Sequence, residues 1–504
     1  MTVEQLYKYI IPDTSGIALA PKIRTQEEIT PESVRQAMNQ WRQYELRFRT
    51  LYYAYVGRSP TSMYGYFETV QEDDSEDHVL SNFCGYIVKS LKGYIAGNAP
   101  EYDCEEEDVY AERIFELFKE QNKQQVDADI LQDMSTYGRG FELVYRANDE
   151  LGTPKSVVVN PRNAFVAYAG DVEEDSIFGG VLYTIPKDDD SITYRLFMYT
   201  RTDVIVWESN NENGPWDIVE GPTPHGFGRV PLIEYANNKE YMGDFEPIIA
   251  LQNVYNRTLI NRVADKDAFV KSILMIMGQV LGKSPEEVQA SLDNLKKNRV
   301  LQMDSDASAA YLEKSLDETG VQVLQDQIKN DIHKFSFVPD LSDEQFANNA
   351  SGVAMAYKLF GTDQLVAEKA LNFQKGFTRR CKLYDAALNN TTGSPDYEPK
   401  ANIGAMNIKF KFNTPQDLSY MSTALTQLVA AGILSKDGAR RALSIITDAD
   451  VEAEKVDNEA DAQAERNRAA FEDDYSTTPQ NMGSNPALNQ SRDDSSDDDE
   501  EDNA

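Results

Sequence analysis

The spacing of apolar residues changes several times along the chain, and each change predicts an element. Residues 31–56 step at three and four and open with Pro31 after Thr30, a capping side chain followed by proline at the first helical position. A second helix is expected over 79–96, ending in Gly97-Asn98-Ala99-Pro100, and a third over 108–136, stopped by Gly138 and Gly140. The period then shortens. Stretches 141–146, 156–168, 179–185 and 193–207 are rich in Val, Tyr, Phe, Ile and Thr and read as strands. The first 240 residues therefore predict helices followed by antiparallel strands, an α+β domain. From about Asp244 to Ala264 a helical period returns, with Ile248, Leu251, Tyr255, Leu259 and Val263 on one face. At 1.5 Å per residue this helix is roughly 30 Å long. A small α/β insert follows over 270–313: VKSILMIMGQVL as strand, a helix capped by Ser284, then RVLQMDS and AYLEK as strands. A second long helix spans about Thr319–Phe337, with Val323, Ile328, Ile332 and Phe335 as its apolar rhythm.

The polar run DLSDEQFANNASGVAMAYK (340–358) separates that helix from the longest helical stretch, about Gly352–Asn389. Here Val366, Ala370, Phe373, Phe377, Cys381, Tyr384 and Leu388 share one face. Lys369, Lys375, Arg379, Arg380 and Lys382 fall mostly off that stripe, and Gly361 is expected to kink the helix. MNIKFKF (406–412) alternates as a strand, Thr414-Pro415-Gln416-Asp417 starts a helix, and Ser435 caps another. A charged helix with almost no apolar face follows, and residues 472–504 are expected to be disordered.

Composition sharpens this picture. The 504 residues are 41% hydrophobic, enough for more than one core, yet the net charge is −35. From Asp450 onward there are 18 acidic and four basic residues, so the preceding 449 still carry about −21. An acidic body repels nucleic acid and anionic membrane at long range, which argues against a tight, sequence-reading DNA binder. Cys84, Cys104 and Cys381 are widely spaced and odd in number, which predicts reduced thiols. The N-terminus has no basic stretch leading into an apolar core, and no run approaches the ~20 apolar residues of a membrane span. The expectation is a soluble cytoplasmic protein without signal peptide.

Catalytic chemistry is not visible. GQVLGKS (278–284) approaches a phosphate-binding loop, but it has three residues between its glycines instead of four. Pro285, Glu286 and Glu287 follow at once. His78, His225 and His333 have no nucleophile or carboxylate at catalytic spacing. The acidic run Glu101 to Asp108 lacks the glycine and alternation of a calcium loop and reads as a solvated loop leading into a helix N-terminus. No cofactor or metal is expected.

The order of parts carries more. NFCGYIVKSLKGYIAGNAP (82–100), YGRGFELVY (137–145), GFGRVPLIEYANN (226–238), NNASGVAMAYK (348–358) and GILSKDGA (432–439) occur in a sequence of elements that resembles the portal proteins of tailed double-stranded DNA bacteriophages, of the type near 500 residues. The resemblance covers about residues 30–470. It implies a wing (1–243), a first stem helix (244–265), a clip (266–318), a second stem helix (319–338) and a tunnel loop (339–351). It further implies a return to the wing through a kinked helix and strand (352–413), a crown (414–470) and a disordered acidic tail (471–504). The implied function is a non-enzymatic ring of twelve at one capsid vertex of the virion, assembled in the host cytoplasm, through which DNA is packaged and ejected. Implied partners are the terminase large subunit, the head–tail adaptor, the major capsid and scaffolding proteins, and double-stranded DNA contacted without regard to sequence, with no membrane.

Under this resemblance Gln345, Asn348, Asn349 and Ser351 would offer DNA neutral hydrogen bonds, Phe346 one bulky contact, and Asp343 and Glu344 would hold phosphates off. Lys329, His333 and Lys334 would form a positive ring on the stem. Lys283, Glu286, Glu287, Lys296, Lys297 and Arg299 would meet terminase and adaptor, and Gly352 and Gly361 would be helix hinges. The competing expectation is a nucleotide-driven motor using GQVLGKS.

Overall fold

A computed structural model describes residues 23–25, 29–57, 81–149, 152–170, 172–187, 191–211, 214–270, 273–277, 284–298, 308–312, 318–342, 352–413, 418–443, 446 and 449–476. They fall into two compact units, 1–414 and 415–504.

The first unit begins with β1 (Ile23–Thr25) and α1 (Pro31–Tyr55). The cap read from Thr30-Pro31 is present in reciprocal form. The Ser33 N–H donates to Thr30 Oγ1 at 3.1 Å, and the Thr30 N–H donates to Ser33 Oγ at 2.9 Å. Then come α2 (Phe83–Ala96), β2 (Glu101–Cys104), α3 (Val109–Glu120) and α4 (Lys123–Tyr137). The helix expected over 108–136 is thus two helices, because Asn122 takes a left-handed conformation between them (φ 51°). The acidic run is not a solvated loop throughout. Its first half is strand β2, and Asp108 caps α3 by accepting the Tyr110 N–H at 2.9 Å. Gly138 ends α4 at φ 79°, and a Cβ there would lie 2.0 Å from the Tyr241 carbonyl oxygen, so only glycine fits this step into the sheet.

The strands are β3 (Arg139–Arg146), β4 (Pro154–Val159), β5 (Ala164–Ala169), β6 (Ser176–Pro186), β7 (Ile192–Tyr199), β8 (Asp203–Ser209), β9 (Asp217–Pro224) and β10 (Leu232–Ala236). Two stretches expected as single strands are hairpins. Asn160 turns 156–168 by accepting the Arg162 N–H at 3.0 Å, and Thr200 Oγ1 turns 193–207 by accepting the Asp203 N–H at 2.9 Å. A six-stranded sheet runs β1-β5-β6-β7-β8-β9, antiparallel except for β1 with β5, and a three-stranded sheet runs β10-β3-β4. Alternation sorts the larger sheet's faces. Phe165, Phe178, Leu196 and Trp207 pack on Val34, Met38 and Trp41 of α1, while Val166, Tyr168 and Val181 pack on Phe141 and Leu232 of the smaller sheet.

A short 3-10 turn (Glu246–Ile248) leads into α5 (Ile249–Val270), then β11 (Ile273–Met277), α6 (Pro285–Asn298), β12 (Ser308–Leu312) and α7 (Glu318–Ser336). β11 and β12 pair antiparallel from Ile273↔Leu312 to Met277↔Ser308, which closes the expected α/β insert. RVLQMDS lies outside the described residues. Ser284 caps α6, accepting the Glu287 N–H at 3.3 Å. On α7, Ile328 and Ile332 are buried, but Val323 and Phe335 are 64% and 52% exposed. The buried stripe is instead Gln325, Ile328, Ile332 and Ser336.

α8 (Gly352–Asn389) is one helix of 38 residues, unbroken at Gly361. Val366, Phe373, Phe377, Cys381 and Tyr384 are all buried as expected, and they form the spine of the main core. Lys369 and Arg380, expected off the stripe, are buried too, at 1% and 0% exposure. Each is matched by partners distant in sequence. Arg380 lies 2.8 Å from Glu142 and 2.6 Å from Asp127, and Lys369 lies 2.5 Å from Asp244. Tyr235 donates to Glu142 at 2.6 Å and Tyr102 to Asp127 at 2.6 Å. Burial pushes Glu142 up, yet Arg380, Lys123 and the bonds from Ser156 and Tyr235 hold it below the usual carboxylate value. Burial lowers Lys123 to about 8. The unit closes with a 3-10 turn (Ile403–Ala405) and β13 (Met406–Lys409), antiparallel to β2, with Lys409 on Asp103 and Lys411 on Glu101.

The second unit holds α9 (Leu418–Ala430), α10 (Lys436–Ala442) and α11 (Ala449–Ser476). Ser435 caps α10 through the Gly438 N–H at 2.9 Å, and Arg441 pairs with Asp437 and Asp450. The Thr414–Asp417 start signal lies outside the described residues. α11 runs through Ser476, past both the 470 boundary and the residues expected to begin a disordered tail.

Removing Arg380 strands two buried carboxylates. Arg380→Met is expected to lower unfolding stability by about 3–5 kcal/mol in denaturant melts; a loss under about 1 kcal/mol would show that the carboxylates simply take up protons. Burial and neighbouring Asp129 raise Asp133 to about 8. Its carboxyl is protonated when folded and ionised when unfolded above pH ~4, so the folded state loses stability as pH rises from there to 8. Asp133→Asn should be more stable than the parent by roughly 1–3 kcal/mol at pH 8 and equal to it near pH 4. Equal stability at both pH values would contradict this.

Candidate functional site

The distinctive local geometry is a helical hairpin, α5 and α7, rooted in the first unit and leading into the expected loop. Its root is tied by buried polar groups. Asp244, just before α5, accepts from Lys369 and from Asn237 Nδ2 at 2.8 Å. Glu246 accepts from Arg47 at 2.5 Å and from the Gly243 N–H at 2.6 Å. Burial raises the Glu246 carboxyl in spite of the Arg47 guanidinium. Gln252 accepts the Cys84 N–H and Asn256 the Ser81 N–H, both at 2.9 Å, which fastens α5 to the start of α2. Further along, α5 and α7 hold each other. Arg262 donates to Gln325 at 2.8 Å and Gln322 at 2.9 Å, and Lys266 pairs with Glu318.

The end of α7 is clamped. Phe337 closes the helix in the left-handed region (φ 58°), its carbonyl accepting from Thr362 Oγ1 at 2.6 Å. A Cβ on Gly361 would sit 3.1 Å from the Phe337 ring, so this glycine serves close approach inside a continuous helix. Tyr86 OH donates to the Pro339 carbonyl at 2.9 Å and accepts the Leu341 N–H at 3.1 Å. Asp340 pairs with Lys329 at 2.5 Å and takes both the N–H and the hydroxyl of Ser342. Burial pushes its carboxyl up, but the bonds from Ser342 and Lys329 outweigh this and hold it at about 2.

The expected positive ring is narrowed by this geometry. Lys329 is engaged by Asp340. His333 lies edge-on to Phe83 and Tyr86, and its Nδ1 is 2.9 Å from the Val338 carbonyl oxygen, where it donates. Helical periodicity could not reveal that, since a histidine on a polar face reads as exposed. Lys334 alone of the three is on the exposed face. Asp343, Glu344, Gln345, Phe346, Asn348, Asn349 and Ser351 lie outside the described residues, as do Lys283 and Arg299. Glu286 and Glu287 stand exposed on the first turn of α6, Lys297 is exposed near its end, and Lys296 is on the same helix. Gly352 is the first residue of α8. Of GQVLGKS only Ser284 is described, as a helix cap. The clamp residues Tyr86, Phe337 and Thr362 carried no signal in the sequence, because their meaning lies in contacts between distant segments.

Among the described residues no group of three or more His, Cys, Asp or Glu is placed to hold a metal ion, and no helix is long and apolar enough to cross a membrane. Residues 39–466 match the family described as phage portal protein, SPP1 Gp6-like. The chain is 23% identical over 347 residues to the portal protein of Bacillus phage SPP1, covering 67% of each. It is also similar, at a TM-score of 0.41 and 13% identity, to a chain in the virion of a native gene transfer agent particle, over 71% of this chain and 88% of that one. Nothing in these similarities supports the nucleotide-driven motor. The chain belongs to the SPP1 Gp6-like family of phage portal proteins, which are structural rather than catalytic components of the virion.

Proposed function

We propose that this portal protein assembles as a ring of twelve at one capsid vertex, with the α5–α7 hairpin as channel stem and residues 339–351 as a loop narrowing the channel around double-stranded DNA. The clamp at 337–342 carries this reading. Fixing the chain at Phe337, Pro339, Asp340 and Leu341 sets the direction in which the next residues leave the body. In this reading residues 1–243 and 352–413 form the wing, 266–318 the clip, 414–470 the crown and 471–504 a tail. The clip meets the terminase large subunit during packaging and the head–tail adaptor afterwards, through Lys283, Glu286, Glu287, Lys296, Lys297 and Arg299. Major capsid and scaffolding proteins surround the ring during assembly in the host cytoplasm. The protein has no catalysis of its own.

The charge of the chain suits this role. Each Lys or Arg on a phosphate displaces counterions and strengthens binding, which would brake sliding DNA. With Lys329 engaged by Asp340 and His333 packed on aromatic rings, Lys334 is the stem cation left to touch phosphate. Repeated around a ring, one lysine per subunit sums to a substantial local field. In the loop, Gln345, Asn348, Asn349, Ser351 and Phe346 give weak, sequence-blind contacts, while Asp343 and Glu344 repel the backbone.

Deleting residues 345–350 is expected to cut packaged DNA at least tenfold while rings still form by negative-stain microscopy. Rings that package normally without these residues would refute the channel-loop assignment. Loss of rings would make the segment an assembly element instead.

A further inference from the structure

The outer faces of α5 and α7 carry opposite, uncompensated charge at the same height. Three contacts set the antiparallel register of the hairpin: Lys266 on Glu318, Arg262 on Gln322 and Gln325, and Tyr255 and His333 on either side of Phe83. By that register Arg257 stands level with the stretch of α7 that holds Asp326 and Asp331. Arg257 is exposed on α5. Asp326 accepts from Gln322 Nε2 at 2.9 Å and Asp331 from Gln327 Nε2 at 3.1 Å, and neither has a Lys or Arg partner among the described residues. The other charges of the pair are internally matched (Lys266 with Glu318, Lys329 with Asp340), except Lys334, which lies about a turn beyond Asp331.

The same face of the hairpin is too apolar for a surface left in water. Val323 and Leu324, the turn before Asp326, are 64% and 50% exposed. Solvent-facing apolar side chains grouped beside unpaired charges mark a surface that another protein covers. On α5 the exposed residues one and two turns past Arg257 are Asn261 and Ala264, small enough to admit a neighbouring helix.

We propose that the occupant is a second copy of this chain, seated head to tail, with α7 of one copy against α5 of the next and Arg257 bridging Asp326 and Asp331. Charge complementarity selects this arrangement. A two-fold contact through α7 sets Asp326 and Asp331 against their own copies, and one through α5 sets Arg257 against Arg257. Only α5 against α7 joins opposite signs, and a contact between two different surfaces closes into a ring instead of stopping at a dimer. The inference rests on the ring reading above and adds which surfaces meet and which charges set their order. Paired charges at such a contact reject wrong partners and fix register more than they add affinity.

The test uses the full chain and two variants, Arg257→Glu and the double variant Asp326→Arg with Asp331→Arg. Each alone sets like charges against each other at every contact and is expected to lower the ring fraction at least tenfold by native mass spectrometry. Mixed in equal amounts, the two restore opposite signs at every contact of an alternating ring, and rings of even subunit number should reappear. Misfolding could not give that rescue. Variants that assemble like the parent, or a mixture that fails to recover, would overturn the α5–α7 contact while leaving the ring reading intact. A parent chain that stays monomeric at high concentration would overturn the ring reading itself.

Discussion

A guanidinium with no exposure to water organises the centre of this protein. Arg380 is fully buried on α8, and burying it is tolerable only because Glu142 on β3 and Asp127 on α4 are both within ion-pair distance. Those carboxylates are in turn held by Tyr235 on β10 and Tyr102 on β2. One charged side chain therefore ties together two helices and elements of two sheets. Apolar packing would hold these elements close, but it is indifferent to small slips. A desolvated charge is not, since each partner that moves away leaves an unpaired group in a low-dielectric interior.

The same logic recurs toward the hairpin. Lys369, three turns before Arg380 on the same helix, pairs with Asp244 immediately before α5. Arg47 on α1 grips Glu246 in the turn that starts it. The helix that leaves the body is thus aimed by two buried ion pairs and by side-chain amides fixing it to α2. The returning helix is aimed by the clamp of Tyr86, Thr362 and Lys329 around residues 337–342. Little besides the partner helix holds the hairpin further out, as the Arg262 and Lys266 contacts show. Its root is rigid and its flanks carry exposed charge and apolar groups. That division suits a portal subunit whose scaffold must stay fixed while its outer surfaces meet other molecules.

Much of the fold was legible in the chain because it rests on local rules. The Thr30-Pro31 cap, the Gly138 stop, the Ser435 cap and the buried stripe of α8 from Val366 to Tyr384 follow from spacing and from what one or two neighbours can bond. The order of helices, insert and returning helix was legible too, and with it the family. Turn chemistry in Asn160-Pro161-Arg162-Asn163 and around Thr200 was also present, and it marks the two hairpins that β-rich composition blurred into single strands. The candidate site was less legible. His333 and Lys329 sit on a helix face that periodicity assigns to solvent, yet one is packed on Phe83 and Tyr86 and the other drawn to Asp340.

What the sequence by itself determined is the set of elements, their order, the acidic balance of the chain and its kinship with portal proteins. What only the tertiary structure decided is where charge is allowed inside. Periodicity places a lysine or arginine on the outside by default, because it counts only neighbours along the helix. Lys369 and Arg380 are inside because Asp244, Asp127 and Glu142, distant in sequence, arrive at the same place when the sheets close over α8. The gain that offsets their desolvation exists only in the assembled fold, so no local pattern can carry it.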